Sequence, residues 1–461
     1  MAVMSVIKLS ESYRNKRVDP DFYKPEYLVV ESTLIKKPNK RLLKQSKKIN
    51  CGPFGSTLMC ETYITEGIPI IRPFNLIDMK IEGEIVYIPK EDIAKKGLKL
   101  FDSGDICFSR VGDVKFGIIY GFKDSVTISP NIIAVKLHKG QLNPYFLIAF
   151  LNTKYGYKQL ERGLKVVAQP TVNTADIGKI IVPQFDNGFQ KIIEKIILNA
   201  FNLYDQSKSL YPQAETLLLE ELGLKDFKPK YDLSYIANLS DAFGVHRVDA
   251  EYFQPAYEKI IQKVSKKIQL RKLKEIFDFR RGVFIPTDYY TEEKTDRPYI
   301  RIKELSGKIG IDENKVIFIN AEYPEDIDNK LLENDLVIAI IGDTIGKVNR
   351  ITKELSGGFC SNNTGRLRIK EQWRSKILTE YAELIFQSLF IQSQIERKKA
   401  QTGQPKISDL EIKNILIPVL PDKTQQKIAS LVQQSHEARK KAKELLGEAK
   451  RKVEEAIEKD K

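Results

Sequence analysis

At 461 residues the chain exceeds what one hydrophobic core usually organises, so two or more domains are expected. Hydrophobic residues make up 42% and charged residues 30%, an ordinary globular balance. No apolar run approaches membrane-spanning length and the N-terminus has no signal-peptide core, so a cytoplasmic protein with no membrane partner is expected. The formal net charge of +14 favours a polyanion partner, DNA or RNA. It is concentrated in two stretches, +9 over residues 1–188 and +4 over residues 247–420. Four cysteines without CxxC spacing and three scattered histidines argue against a zinc site or a disulfide framework, and no cofactor or metal is expected.

Taken in order, residues 1–187 read as a first mixed α/β domain. Short β-rich runs at Glu84–Ile88, Asp105–Ser109, Gly117–Tyr120 and Ile132–Leu137 are punctuated by Gly, Pro and Asn. A helical segment follows over Pro144–Arg162, and a strand with a proline stop over Ile177–Pro183. Residues 188–223 then form a long helix. Its apolar or small residues Ile193, Ile196, Ala200, Leu203, Ser207, Leu210, Ala214 and Leu217 alternate steps of three and four, one seam of a heptad helix. Pro212 lies inside that seam and predicts a kink.

Residues 224–246, with Pro229 and balanced charge, read as a linker that returns the chain to a second domain at 247–420. That domain repeats the first. Lys8–Tyr27 matches Asn238–Tyr257, GDICFSRVGD (Gly104–Asp113) matches NDLVIAIIGD (Asn334–Asp343), and Ser129–Leu137 matches Ser361–Ile369. Gln159–Asn173 matches Gln394–Ser408, a helical stretch over Ile377–Lys399 mirrors Pro144–Arg162, and IKNILIP (Ile412–Pro418) mirrors Ile177–Pro183. A second long helix, 421–461, places Ile428, Leu431, Ser435, Ala438, Ala442, Leu445 and Ala449 each 235 positions after a seam residue of the first. The fold class is therefore α+β: two similar mixed α/β domains and two long helices expected to pair with each other. Seam spacing alone also suits two surface helices packed on their own domains.

Catalytic patterns are weak. CGPFGS (Cys51–Ser56) has the wrong glycine spacing for a cofactor loop and reads as a turn. PDFYK (Pro20–Lys24) resembles a nuclease motif, but its repeat mate AEYFQ (Ala250–Gln254) lacks the lysine and has glutamate for the aspartate. The chain reads as non-catalytic, with no catalytic residues.

What remains is base reading, which needs Arg, Lys, Asn and Gln on loops; Arg pairs with guanine and Asn or Gln with adenine through two hydrogen bonds each. In the first domain the candidates are Arg72, Asn75, Arg110, Asp113, Lys115, Asn131, Gln169 and Asn173. In the second they are Arg301, Lys303, Asp343, Thr344, Lys347, Asn362, Asn363, Arg366, Gln401 and Gln404. Taken singly, each equally suits a solvated or turn-capping residue. Gly112–Asp113 and Gly342–Asp343 read as strand-end turns first.

The stretches Cys51–Leu76, Ser103–Asp113, the QPTVN loop (Gln169–Asn173), AETLLLEELGL (Ala214–Leu224) and RVDAEYFQPAY (Arg247–Tyr257) resemble the specificity subunit of type I restriction–modification enzymes, across essentially the whole chain. The resemblance implies two target-recognition domains separated by two helices that form an antiparallel coiled coil. It implies double-stranded DNA, two DNA methyltransferase subunits and endonuclease/translocase subunits as partners. The function it implies is reading a bipartite, asymmetric DNA target and positioning those subunits on it. Two alternatives stay open: the specificity subunit of a type IIB-like system, and a coiled-coil scaffold that binds protein only. RRGVFIP (Arg280–Pro286), standing where the first domain has CGPFGS, suits two domains that read different sequences.

Overall fold

The structure is a computed structural model. It describes residues 6–15, 17–54, 57–58, 61, 63–164, 171–308, 310–311, 313–324, 326–400 and 403–459. The chain divides into two compact units, Met1–Leu203 with Lys440–Lys461, and Tyr204–Arg439. Each unit therefore holds one globular part and a section of both long helices, a division that cuts across the sequence boundaries at 187 and 420.

In the first unit, strands β1 (Ser46–Cys51), β2 (Ile106–Ser109), β3 (Phe116–Ile118) and β4 (Ile132–Leu137) run antiparallel in the spatial order β1-β4-β2-β3. Met79–Ile81 continues the sheet parallel to β3, and Leu76–Ile77 forms its far edge. All of β2 and the first four residues of β4 are buried, which is why these runs show no polar alternation. A three-stranded sheet of Val86–Ile88, Ile68–Ile71 and Thr127–Ile128 adjoins it, and Asn39–Arg41 pairs with Ile181–Pro183. Strand β1 contains a bulge. Lys48 stands opposite Lys136 but Ser46 stands opposite Leu137, so Lys47 is an extra residue.

In the second unit, β5 (Phe277–Arg281), β6 (Leu336–Ala339), β7 (Val348–Arg350) and β8 (Thr364–Ile369) take the antiparallel order β5-β8-β6-β7. Here β5 and β8 pair without a bulge from Phe277↔Ile369 to Arg281↔Gly365. A second four-stranded sheet and the pair Leu270–Lys272 with Leu416–Pro418 complete the unit's strands among the described residues.

Several local expectations change. The helical stretch over Pro144–Arg162 is two helices, Pro144–Leu151 and Lys154–Gly163. They are separated where Thr153 caps the second by accepting from the Gly156 N–H. Its counterpart likewise splits into Thr379–Phe386 and Leu389–Lys398. The strands expected from Ile177 and Ile412 begin later, at Ile181 and Leu416. The residues before them form short helices because Asn173 accepts from the Asp176 N–H and Ser408 from the Glu411 N–H. The linker carries a helix of its own, Leu239–Val245.

The long helices are α1 (Asn187–Glu221, 35 residues) and α2 (Asp422–Glu458, 37 residues). Each starts from a buried glutamine that ties it to its own globular part. Gln190 accepts from the Asn143 N–H at 2.9 Å, and Gln425, 235 positions later, accepts from the Leu378 N–H at 3.1 Å. Pro212 sits on an exposed position within a helix that continues past it.

The buried seam differs from the expected one at every second position of α1 and at two positions of α2. Ile193, Ala200, Ser207 and Ala214 are buried as expected. The residues between them are Ile197, Tyr204, Tyr211 and Leu218, each one position later than Ile196, Leu203, Leu210 and Leu217, which are half-buried. In α2, Val432 and Leu446 likewise replace Leu431 and Leu445, while Ile428, Ser435, Ala438, Ala442 and Ala449 are buried. Both step orders fit a heptad, and at Tyr204 and Tyr211 partners elsewhere in the fold engage the rings. Tyr211 donates its hydroxyl to Gln387 Oε1 at 2.9 Å, and Arg439 lies over the Tyr204 ring at 5.5 Å, so these large rings are buried with their polar sides engaged.

Candidate nucleic-acid interface

In each unit the backbone gathers four loops at one end of the sheet. In the first unit β2 ends at Ser109. Arg110 then donates its N–H to the Asn131 carbonyl at 2.8 Å, and its own carbonyl accepts from the Val172 N–H at 2.9 Å. Val111 bridges to Thr171. The loop after β1 joins them at Gly52, whose N–H donates to the Ile132 carbonyl at 2.9 Å. A Cβ on Gly52 would lie 2.0 Å from the Ser129 carbonyl oxygen, so only glycine allows this approach. The second unit repeats the build. Ile340 donates to the Asn363 carbonyl, Gly342 to the Pro405 carbonyl and Gly282 to the Thr364 carbonyl, at 2.8–3.1 Å. A Cβ on Gly282 would sit 2.3 Å from the carbonyl oxygens of Cys360 and Ser361.

The expected turn at Gly112–Asp113 has Gly112 at φ +76°, and Gly342 has φ +84°, both left-handed. Ser109 Oγ closes the first turn by donating to the Asp113 carbonyl at 2.6 Å and accepting from the Lys115 N–H at 2.8 Å. This leaves Arg110, Asp113 and Lys115 exposed around the turn, with Asn131 exposed beside it. Among the described residues only a 3.4 Å bond to the Pro130 carbonyl engages the Arg110 guanidinium. Asn173 is exposed at the rim, but its side-chain oxygen is committed to capping a helix. In the second unit Asp343, Lys347, Asn362, Asn363 and Gln404 are exposed and Thr344 is half-buried. Gln169 and Gln401 lie outside the described residues.

Four expected readers make hydrogen bonds within the fold. Asn75 is fully buried; it accepts from the Arg72 N–H at 3.0 Å and donates to the carbonyls of Glu82 and Glu84. Arg72 donates to the Glu84 carbonyl and stacks on Phe74 at 4.1 Å. Arg301 stands in the matching place and pairs with buried Glu304 at 2.6 Å, while its neighbour Lys303 is exposed. Arg366, 3% exposed, donates to Asp278 at 2.8 Å and to the Asp328 carbonyl at 2.9 Å. Burial, then the adjacent Arg368, lowers its pKa. These contacts engage hydrogen-bonding groups that a base reader would present to a base edge.

Two aromatic residues join the clusters without having been singled out from the sequence. Phe54 is 90% exposed and Phe284 70% exposed, each two residues after the close-approach glycine of its loop. The signal was the repeated spacing Gly-x-Phe, at 52–54 and 282–284, in two segments otherwise dissimilar. Among the described residues no group of three or more His, Cys, Asp or Glu could hold a metal ion, and no helix is long and apolar enough to cross a membrane.

Residues 265–445 match the family model of the type I restriction modification DNA specificity domain. No curated protein matches the chain. Among solved structures it is similar to the type I restriction–modification system S subunit from M. genitalium, with 14% identity over 91% of this chain and 94% of that one, TM-score 0.46. It is similar also to the HsdS subunit from Thermoanaerobacter tengcongensis, with 15% identity over 91% of this chain and 96% of that one, TM-score 0.30. The type IIG restriction endonuclease BpuSI matches at 12% identity over 41% of this chain and 29% of its own, TM-score 0.29.

Proposed function

We propose, from the match of residues 265–445 to the family model of the type I restriction modification DNA specificity domain, that the whole chain is a non-catalytic DNA-recognition subunit. Its globular parts are two target-recognition domains, each reading one part of a bipartite site. One observation carries this reading. Both units build the same loop cluster from the same backbone hydrogen bonds, yet fill it with different side chains. Arg110 in the first cluster corresponds to Ile340 in the second, since each donates its N–H to the asparagine before β4 or β8. A guanidinium at this position in one cluster and an aliphatic side chain in the other suits two unlike half-sites, hence an asymmetric target.

The long helices pair as an antiparallel coiled coil, a reading supported by their buried heptad positions and by a buried contact between Ser207 and Ser435. Two DNA methyltransferase subunits and the endonuclease/translocase subunits assemble on this chain in the cytoplasm and supply the chemistry. Lys and Arg on the domains neutralise phosphates, and the loop clusters enter the major groove.

Selection of bound sites from a random duplex library, with the methyltransferase present, tests the reading. Two short unlike sequences separated by an unread spacer are expected, with log affinity falling linearly in log salt by about 0.9 per phosphate neutralised. A single contiguous or palindromic site overturns the two-domain reading. A flat salt response overturns DNA recognition and restores the protein-binding scaffold.

A further inference from the structure

We infer that the first unit carries a groove for the phosphate backbone of a nucleic acid, at a place where the second unit has paired arginines and aspartates; this rests on the DNA-recognition reading above. The groove, with a volume of about 550 Å³, is lined by Lys47, Lys48, Asn50, Lys99 and Lys136 over an apolar wall, and no carboxylate lines it. The bulge in β1 helps build it. Strand alternation would send adjacent side chains to opposite faces, but the inserted Lys47 breaks the alternation and lines the groove together with Lys48. Lys99 Nζ donates to Asn50 Oδ1 at 2.8 Å. Lys136 is matched by Asp102 at 2.6 Å and Asp105 at 3.7 Å, leaving Lys47, Lys48 and Lys99 as the charge the groove offers.

At the same place the second unit pairs its charges with one another. Lys48 pairs across the sheet with Lys136, and Asp278 pairs with Arg368, so Lys48 corresponds to Asp278, Asn50 to Arg280 and Ala134 to Arg366. There Arg366 meets Asp278 at 2.8 Å, Arg368 meets Asp335 at 2.7 Å, and Arg280 lies 3.6 Å from carboxylate oxygens of Asp278 and Asp328. Arginine and aspartate neutralise one another within that unit. In the first unit lysine replaces the aspartate, alanine replaces the filling arginine, and an inserted residue adds one more lysine. Gathered cations repel unless an anion offsets them.

Lysine is a compact point charge that suits a phosphate oxygen better than the two-pronged edge of a base. Position agrees with chemistry. Lys136 lies four residues along β4 from Ile132, beside the loop cluster, or about 13 Å at about 3.3 Å per residue. The major groove of B-DNA is about 12 Å wide. Base edges in reach of Arg110 and Asn131 thus leave a flanking phosphate strand at the lysines.

Anisotropy titration of the full chain against a random-sequence duplex, across a range of salt, tests this. The double variant Lys48→Gln, Lys99→Gln should bind every sequence more weakly, with a salt slope shallower by about 0.9 for each phosphate no longer neutralised. Arg280→Gln, at the matching place in the second unit, should leave the slope unchanged. Both sets change exposed side chains, and an unaltered melting temperature confirms the fold. An unchanged slope in the double variant, while the unmodified chain binds duplex, overturns the groove and leaves DNA recognition standing. Lost binding of polyglutamate with unchanged DNA binding also overturns it, in favour of an acidic polypeptide. An unmodified chain that shows no salt-dependent duplex binding overturns both.

Discussion

Ser207 and Ser435, both buried, meet hydroxyl to hydroxyl at 3.0 Å, and Ser435 Oγ also donates to the Ser207 carbonyl at 2.9 Å. With the Ser435 proton spent on that carbonyl, the Ser207 hydroxyl donates to Ser435. The pair satisfies itself only at this register; sliding one helix by a turn would bury both hydroxyls against apolar neighbours. Ser435→Ala is expected to cost about 1–2 kcal/mol, and the double change to Ala less than the two single costs combined. A double-mutant cycle by urea unfolding measures this, and strictly additive costs would break the argument.

Arg366 and Arg110 should respond in opposite ways. Arg366→Met removes a buried donor of Asp278 and should destabilise the second unit by about 1–3 kcal/mol without altering base preference. Arg110→Ala should leave the melting temperature within about a degree or two. It should lose about 1–3 kcal/mol of discrimination at one base of one half-site. Site selection and calorimetry on the same variants separate these outcomes; equal loss on all sequences would give Arg110 a phosphate as its partner instead of a base.

Phe54→Ala and Phe284→Ala should each weaken DNA binding while leaving stability unchanged, because side chains this exposed have little packing to lose. Gly52→Ala should act the other way round. Its new Cβ would meet the Ser129 carbonyl at 2.0 Å and push two loops of the cluster apart. Hydrogen exchange at the 129–131 loop reads that displacement directly, and unaltered exchange there would contradict it.

Acid should destabilise the repeated Arg-Val-Asp segment. The hydrogen bonds from Arg247 hold the Asp249 carboxyl below its ordinary pKa, and Arg17 does the same for Asp19. A carboxylate depressed in the folded state adds stability above its unfolded pKa and loses it as pH falls through the folded value. Stability should therefore decline between about pH 5 and pH 2, and Asp249→Asn should flatten that decline. Urea midpoints across this range provide the test; parallel curves for the two proteins would remove Asp249 from the explanation.

The sequence determined by itself whatever depends on pattern along the chain. The stretches Gly104–Asp113 and Asn334–Asp343, matched by order and offset in the sequence, each run from a buried strand into a turn at a left-handed glycine. The heptad register was legible at Ile193, Ala200, Ser207 and Ala214, and at their partners 235 positions on, because small and apolar residues leave little choice there. Only the tertiary structure decided between adjacent candidates. Tyr204 and Tyr211 took the seam from Leu203 and Leu210 because Arg439 and Gln387, distant in sequence, engage the sides of those rings. The same holds at the loops. Asn75 and Arg366 have the chemistry of base readers, but carbonyls and a carboxylate brought from elsewhere in the fold consume their hydrogen bonds. The lysines of the groove come from three separate segments: the β1 bulge and its pairing with β4 bring Lys47, Lys48 and Lys136 together, and Lys99 joins them through its bond to Asn50. Periodicity is a local property of a chain, whereas the partner of a polar side chain is set by what folding carries next to it.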